Sequence, residues 1–299
     1  MPVTSPFLVE TSRYERVLHG WVDAGAEDGF AMTVRVMDPW VGVELRAETT
    51  PSPEYAIRRA SGRVLVGVPE RVDPALAPAM ERLRGLTMTG GFSRRIAEAA
   101  AGRAGAPYFV AAAIEVARLA RQVTRLPGEV VARGLAEGPV GAWRLDTQGW
   151  ADLPGSCYTY RPEAEALFAT RAVSTPVPPQ IYGAPPGTPG IFNRTRVVRL
   201  ERRPDHLHLA HAMFDEVHSF QVWYVVDPER GVVLDVGSLT PRLPYAGICS
   251  DPQARVRDLV GQRLDAGLRQ RLGSLVGGAQ GCAQLFDLTA DLLTLLSLD

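Results

Sequence analysis

The residues of this chain that could do chemistry lie mostly in its C-terminal third, and the first of them are Asp215 and His218 in the run Asp-Glu-Val-His. A carboxylate three residues before an imidazole can orient the ring and raise its basicity, as a general base requires. The same two groups could instead ligate a metal. The run is therefore a candidate acid/base dyad, with metal ligation and an ordinary acidic turn as alternatives.

Two of the three cysteines, Cys249 and Cys282, add candidate nucleophiles or ligands. Each precedes a predicted helix, where the helix dipole is expected to lower the pKa of a thiol. Together with His218 they could form a site for zinc or iron with one open position, or a thiolate nucleophile with a histidine partner. Simple packing of small apolar side chains is the alternative.

Three neighbouring side chains are candidate substrate-binding groups. Arg242 could hold an anionic group of the substrate. Tyr245 could donate a hydrogen bond to developing charge, and Trp223 could line a pocket, although aromatic residues of strands more often pack in the core. His206 and His208 alternate on a predicted strand, so they could bind a metal or simply face solvent.

Composition narrows the possible functions. The 299 residues are 46% hydrophobic and 22% charged, with a formal net charge of -1. These values predict a globular protein and give no electrostatic basis for nucleic-acid binding. All 32 basic residues are arginine, which excludes a Schiff-base lysine and the lysine of a phosphate-binding loop. Without a glycine-rich dinucleotide fingerprint, we expect no organic redox cofactor.

The cysteines and the apolar pattern predict where the protein resides. Three cysteines in no disulfide-like spacing predict a reducing, cytoplasmic environment. The sequence has no run of about 18 apolar residues and no basic start followed by an apolar stretch, so we expect neither a membrane span nor secretion.

The elements that must position these residues occur twice. Gly91 aligns with Gly267 and Gly105 with Gly281, each 176 positions later. In both copies, strand-like segments precede helix-like ones, which is typical of an α+β fold. We therefore predict two related copies, each an antiparallel sheet followed by helices, that form a pseudo-dimer.

The repeat sets the expected domain boundaries. Residues 1–126 are the first, diverged copy, and residues 191–299 are the second copy, which carries the candidate site. Residues 127–190 connect them, and their Pro/Gly-rich part has the composition of a semi-rigid linker.

Several segments of the second copy together resemble a bacterial family catalogued as domain of unknown function 2889. They are the turn at 217–220, the segment Leu243-Pro-Tyr-Ala-Gly-Ile-Cys249 and the run Gly281-Cys-Ala-Gln-Leu285. The resemblance places His218, Cys249 and Cys282 at the family's distinctive positions. The chain departs from the family at Ser219, where members have Asp, and at Gln284, where they have His. The first copy resembles a diverged member.

These observations lead to one main hypothesis. We expect a small-molecule enzyme of bacterial metabolism, biosynthetic, and of the lyase, isomerase or cyclase type. His218 would be the acid/base, Asp215 would orient it, and Cys282 or Tyr245 would donate a hydrogen bond, with Cys249 beside them. The first alternative is a metal-binding or metal-delivery protein that uses His218, Cys249 and Cys282. The second is a non-catalytic ligand-binding module. A homodimer is a further possibility.

Overall fold

Eight antiparallel strands form one continuous sheet in the order β4-β3-β2-β1-β5-β6-β7-β8. The structure is a computed structural model that describes residues 3–9, 11–26 and 28–298. Met1 and Pro2, which entered the expectation about secretion, lie outside these residues. The strands are β1 (Arg13–Ala24), β2 (Phe30–Met37), β3 (Gly42–Thr49), β4 (Ile57–Val66), β5 (Phe192–Arg202), β6 (Leu207–Asp215), β7 (Ser219–Asp227) and β8 (Val232–Arg242).

Helices occur along the chain between β4 and β5 and again after β8, so the predicted mixed α+β class is confirmed. The α-helices of the described residues are α1 (Leu76–Ala79), α2 (Phe92–Ala100), α3 (Ala106–Ala120), α4 (Gly128–Ala136), α5 (Pro139–Gly149), α6 (Gln180–Gly183), α7 (Leu268–Leu275) and α8 (Ala283–Leu293). Short 3-10 helices occur at Pro6–Leu8, Met80–Leu83, Tyr158–Tyr160, Pro162–Ala169, Asp251–Leu259 and Gly278–Gln280. Within the described ranges, no helix is both long enough and apolar enough to cross a membrane.

The strands alternate between a covered face and an open face. In β7, Phe220, Val222 and Tyr224 are buried, whereas Gln221 and Trp223 point to the opposite, more exposed face. Successive side chains of a strand point to opposite faces, so this alternation places the helices on one side of the sheet. Helix α3 packs on β1, β2 and β3, and α8 packs on β6 and β7.

The sheet consists of two four-stranded meanders joined edge to edge. The central strands β1 and β5 pair along their length, with Leu18 opposite Arg196. Two hydrophobic clusters result, one under each meander. The two predicted copies thus share one continuous sheet rather than forming separate sheets.

The segment 127–190 between the meanders is folded. It contains α4, α5 and α6, and its Trp143, Leu145, Trp150 and Tyr182 side chains are buried. The Pro/Gly-rich stretch predicted as a linker includes Ile181, which is also buried. Part of the predicted linker therefore packs in the core.

A group of buried charges crosses the junction between the meanders. Arg196 of β5 is 1% exposed and its Nη1 donates to Glu115 Oε2 of α3 at 2.9 Å. The same nitrogen lies 3.2 Å from Asp291 Oδ2 of α8. Arg118 of α3 donates to both oxygens of Asp291, at 2.9 and 3.0 Å. These ion pairs connect the helix layers of the two meanders.

Removing one partner of this buried group should strongly destabilise the protein, because an unpaired charge would remain in the core. We expect Glu115→Ala to lower the free energy of unfolding by about 3–5 kcal/mol. The matched control is Arg144→Ala, which removes exposed ion pairs with Glu137 and Glu165 and should change stability little. Urea denaturation of both variants checks this, and equal midpoint shifts would contradict it.

Candidate active site

The main candidate site is a cavity of about 120 Å³ on the covered side of the second meander. Its wall comes from five parts of the chain: the residues after α3, the segment 127–190, the turn between β6 and β7 with the start of β7, the stretch after β8, and the start of α8. His218, Cys249 and Cys282 line it, and so do Asp146 and Cys157. The structure therefore brings three of the predicted site residues together.

The turn after β6 fixes His218. Asp215 Oδ1 accepts hydrogen bonds from the backbone N–H of Val217 at 2.8 Å and of His218 at 2.6 Å. The imidazole Nδ1 of His218 lies 3.0 Å from the same oxygen. One carboxylate thus holds both the turn and the ring, which leaves Nε2 as the ring nitrogen without a hydrogen-bond partner among residues 3–9, 11–26 and 28–298.

A buried ion pair with Arg194 stabilises the negative charge of Asp215. Arg194 Nε donates to Asp215 Oδ2 at 2.8 Å, and Arg194 Nη2 lies 2.7 Å from the same oxygen. Burial alone would raise the pKa of Asp215, but His218 and Arg194 outweigh it and hold the pKa well below its ordinary value. An ionised Asp215 can only accept hydrogen bonds, so Nδ1 of His218 is the donor nitrogen and Nε2 is the nitrogen left for a ligand.

Arg242 and Trp223 lie outside the wall of this cavity. Arg242 Nη2 donates to the backbone carbonyl of Asp215 at 2.6 Å and is not part of the cavity wall. It fastens the turn that carries His218. Trp223 lies on the opposite face of the sheet from Phe220 because it is three positions further along β7, and it does not line this cavity.

The cysteines are neutral thiols rather than activated nucleophiles. Cys282 is the N-cap residue of α8, as predicted, yet burial raises its pKa to about 11. Burial raises the pKa of Cys249 further, and its Sγ lies 2.9 Å from Thr159 Oγ1. The expected lowering of the thiol pKa values is therefore wrong, because desolvation outweighs the helix terminus.

Cys157, the third cysteine, also lines the cavity. The backbone N–H of Tyr158 donates to the carbonyl of Gly281 at 3.0 Å, which brings Cys157 beside Cys282. However, in the part of the chain that the structure describes, no group of three or more His, Cys, Asp or Glu side chains could hold a metal ion. His218, Cys249 and Cys282 share a cavity but do not form a metal site.

The sequence reasoning missed Asp146, which is 4% exposed on α5. Its Oδ1 accepts the Tyr182 hydroxyl at 2.6 Å, and its Oδ2 accepts the hydroxyls of Tyr160, at 2.7 Å, and Tyr245. Burial raises the pKa of Asp146 to about 6, although the three hydroxyls and His218 oppose the shift. Tyr245, predicted to contact substrate, is fully buried and supports this carboxyl.

A signal for Asp146 was present in the sequence. On a helix it shares one face with Ala142 and Trp143, four and three positions earlier, and both are apolar. A carboxylate on the apolar face of an amphipathic helix is unusual, because an ionised carboxylate is seldom buried without partners.

The cavity therefore combines two titratable groups in different environments. His218 presents Nε2, the ring nitrogen that Asp215 does not hold, and Asp146 is a carboxyl group whose pKa is raised towards neutrality. Paired groups of this kind can act as base and acid on one small molecule.

A comparison of the sequence with known protein families finds a match in the C-terminal part of the chain. The family model described as "Protein of unknown function (DUF2889)" matches residues 199–297. This confirms the resemblance for the C-terminal third, which includes His218, Cys249 and Cys282, whereas residues 1–198 lie outside the match. No curated protein matches the chain.

One solved structure shows a weak similarity. It is the crystal structure of a "putative lipoprotein" from Clostridium difficile 630, with 9% sequence identity and a TM-score of 0.13. The alignment covers 76% of this chain and 83% of the other.

The raised pKa of Asp146 has a measurable consequence for stability. Because its pKa is higher in the folded protein than in the unfolded chain, its contribution to stability is present below about pH 4 and is lost as the pH rises through about 6. Relative to Asp146→Asn, the natural protein should therefore lose up to about 3 kcal/mol of unfolding free energy between pH 4 and pH 7.

Asp265→Asn is the matched control. The hydrogen bond from Arg271 lowers the pKa of Asp265, so the stability that this shift contributes is gained below about pH 4 and stays constant above it. Urea denaturation between pH 4.5 and 7.5 should therefore show a difference that changes with pH for Asp146→Asn and a constant difference for Asp265→Asn. A difference from Asp146→Asn that does not change with pH would refute the assignment.

Proposed function

We propose that the protein is an enzyme that transfers a proton on a small molecule bound in the cavity, with His218 as the acid/base. The observation that carries the proposal is the position of the imidazole: Asp215 holds Nδ1 at 3.0 Å, and Nε2 has no partner among the described residues that would compete with a substrate. The reaction belongs to the lyase, isomerase or cyclase type, since these need proton transfer but no redox cofactor.

Each residue has a defined part in this proposal. His218 Nε2 removes a proton from the substrate, and the ionised Asp215 stabilises the resulting imidazolium. The protonated fraction of Asp146 can supply a proton to the developing charge. After the product leaves, His218 gives its proton to solvent and Asp146 takes one up from solvent, so the enzyme ends in its starting protonation state.

The alternatives have weaker support. A metal-binding role would need ligands arranged around one point, and the described residues contain no such group. A covalent role for Cys249 or Cys282 would need a thiolate, whereas both thiols have raised pKa values. A non-catalytic ligand-binding module uses the same cavity and is distinguished by the experiment below. The three cysteines are free, which fits a cytoplasmic protein.

We also propose that the two meanders are diverged copies forming a pseudo-dimer. Gly85 N–H donates to the Ile57 carbonyl and Gly261 N–H to the Val233 carbonyl, both at 2.8 Å and 176 positions apart. In the central pair of strands, Arg16 lies opposite Val198 and Gly20 opposite Arg194. Residues 16 and 20 are each 178 positions from their equivalents, 194 and 198, so a two-fold axis between the strands would exchange these two pairs.

The two turns that follow β2 and β6 support the same proposal. Asp38 Oδ1 accepts the backbone N–H of Trp40 and of Val41, both at 2.8 Å, as Asp215 does in its own turn. The hydroxyls of Tyr14 and Tyr108 donate to Asp38 Oδ2. Val41 stands at the position that corresponds to His218, so the first copy retains the turn and lacks the imidazole.

The proposed activity predicts a specific loss in His218→Gln. Each protein is incubated in D2O with a bacterial metabolite extract, and mass spectrometry follows deuterium incorporation and new products. We expect the natural protein to convert at least one metabolite and His218→Gln to do so at least about 100-fold more slowly.

His19→Gln is the matched control, because His19 is an exposed residue of β1 that bonds to Thr195. It should react like the natural protein. Full turnover in His218→Gln would refute the acid/base role. Conversion of no metabolite by the natural protein would also count against the enzyme and favour the ligand-binding module.

A further inference from the structure

Among the described residues, the cavity wall offers no free guanidinium group to an anionic ligand. Arg121 is the one arginine among the residues that line it. Its Nε donates to Asp152 Oδ2 at 2.8 Å, Nη1 to the Ala117 carbonyl at 2.9 Å and Nη2 to the Met88 carbonyl at 2.7 Å. Each of its nitrogens is therefore already engaged.

The wall also repels negative charge. The Asp146 carboxyl faces the cavity and is mostly ionised at neutral pH. A carboxylate or phosphate group entering the cavity would lose its hydration, meet this like charge and find no free guanidinium to pair with. An anionic substrate group, which Arg242 was expected to hold, does not fit this site.

The size and lining of the cavity limit the ligand further. A volume of about 120 Å³ is close to that of an engineered apolar cavity of about 150 Å³ that binds benzene. Much of the wall is apolar, with Trp150, Leu153, Ile181, Phe220 and Leu243 among its residues. A single ring fits such a space, whereas a nucleotide or a sugar phosphate does not.

From these observations we infer that the substrate is an uncharged, single-ring compound with one hydroxyl or carbonyl group directed at His218. Phenols and cyclic ketones belong to this class. The inference rests on the proposed function only in making His218 the group that faces the polar end of the ligand. The ring itself is selected by the apolar wall, and the engaged Arg121 leaves no free guanidinium in that wall for an anionic group.

Binding of simple probes tests the ligand class separately from catalysis. Phenol and cyclohexanone are compared with benzoate by ligand-observed NMR titration against the natural protein. We expect benzoate to bind at least about 10-fold more weakly than both neutral probes, in line with its extra desolvation. Equal or tighter binding of benzoate, or no binding of either neutral probe, would overturn the inference.

Two substitutions of the same type locate the binding. Val177 lines the cavity, so Val177→Phe should fill it and weaken cyclohexanone binding at least about 10-fold. Val197 lies on the open face of β5, so Val197→Phe should leave binding unchanged. Unchanged binding in Val177→Phe, with its fold verified by circular dichroism, would place the ring elsewhere and refute the inference.

Cyclohexanone also separates this inference from the proposed function. In D2O, a base at His218 would exchange the hydrogens next to its carbonyl, and NMR would show their loss. Binding without exchange would retain the ligand class and reject the acid/base role. Exchange catalysed without the expected preference for neutral probes would retain the acid/base role and reject the ligand class.

Discussion

The buried charges of β5 are the constraint on which the rest of the structure depends. The side chains of Arg194 and Arg196 project from this strand into the core, and the two residues are 1–2% exposed. An unpaired guanidinium there would cost several kcal/mol. Their partners come from different elements: Glu115 from α3, Asp291 from α8 and Asp215 from the end of β6. The two helix layers and the turn at Asp215 must therefore all be in place before these charges are satisfied. Burial of the charges favours one arrangement of the two meanders, because other packings would leave a charge unpaired.

This constraint reaches the candidate site through one residue. Asp215 accepts Arg194 on one oxygen and the backbone and ring of His218 on the other. The charge that completes the core ion pair is thus the charge that orients the imidazole. A structural ion pair and an acid/base dyad would ordinarily be separate features. Here the tautomer of His218 follows from the packing of β5, and a mutation in the core should disturb the site even where it touches no ligand.

The parts of the site that depend on local sequence were predictable, and those that depend on long-range packing were not. The dyad is local: Asp215 and His218 are three positions apart in one turn, so residue spacing sufficed to associate them. The alternating strands and the α+β class follow from the pattern of side chains for the same reason. Asp146 is separated by about 70 positions from His218 and meets it only because α5 packs beneath the second meander. The prediction of lowered thiol pKa values was wrong, because the position of a helix can be read from the sequence, whereas the burial of a thiol cannot. The position of Trp223 outside this cavity could not be predicted, because the aromatic residues of a strand do not reveal which face of the sheet holds the cavity.

The segment between the meanders explains why one half of the sheet carries the site. The turn at Asp38 matches the turn at Asp215 in its backbone hydrogen bonds, but tyrosines occupy the acceptor that Arg194 occupies in the second half. Asp146, Tyr160 and Tyr182 lie in the connecting segment and outside the residues 199–297 that match the family. The matched region supplies the imidazole and two of the thiols, and the connecting segment supplies the buried carboxyl and part of the apolar wall. This cavity lies where the turn at Asp215 meets the connecting segment, so the composition of its wall depends on the connection as much as on the region that matches the family.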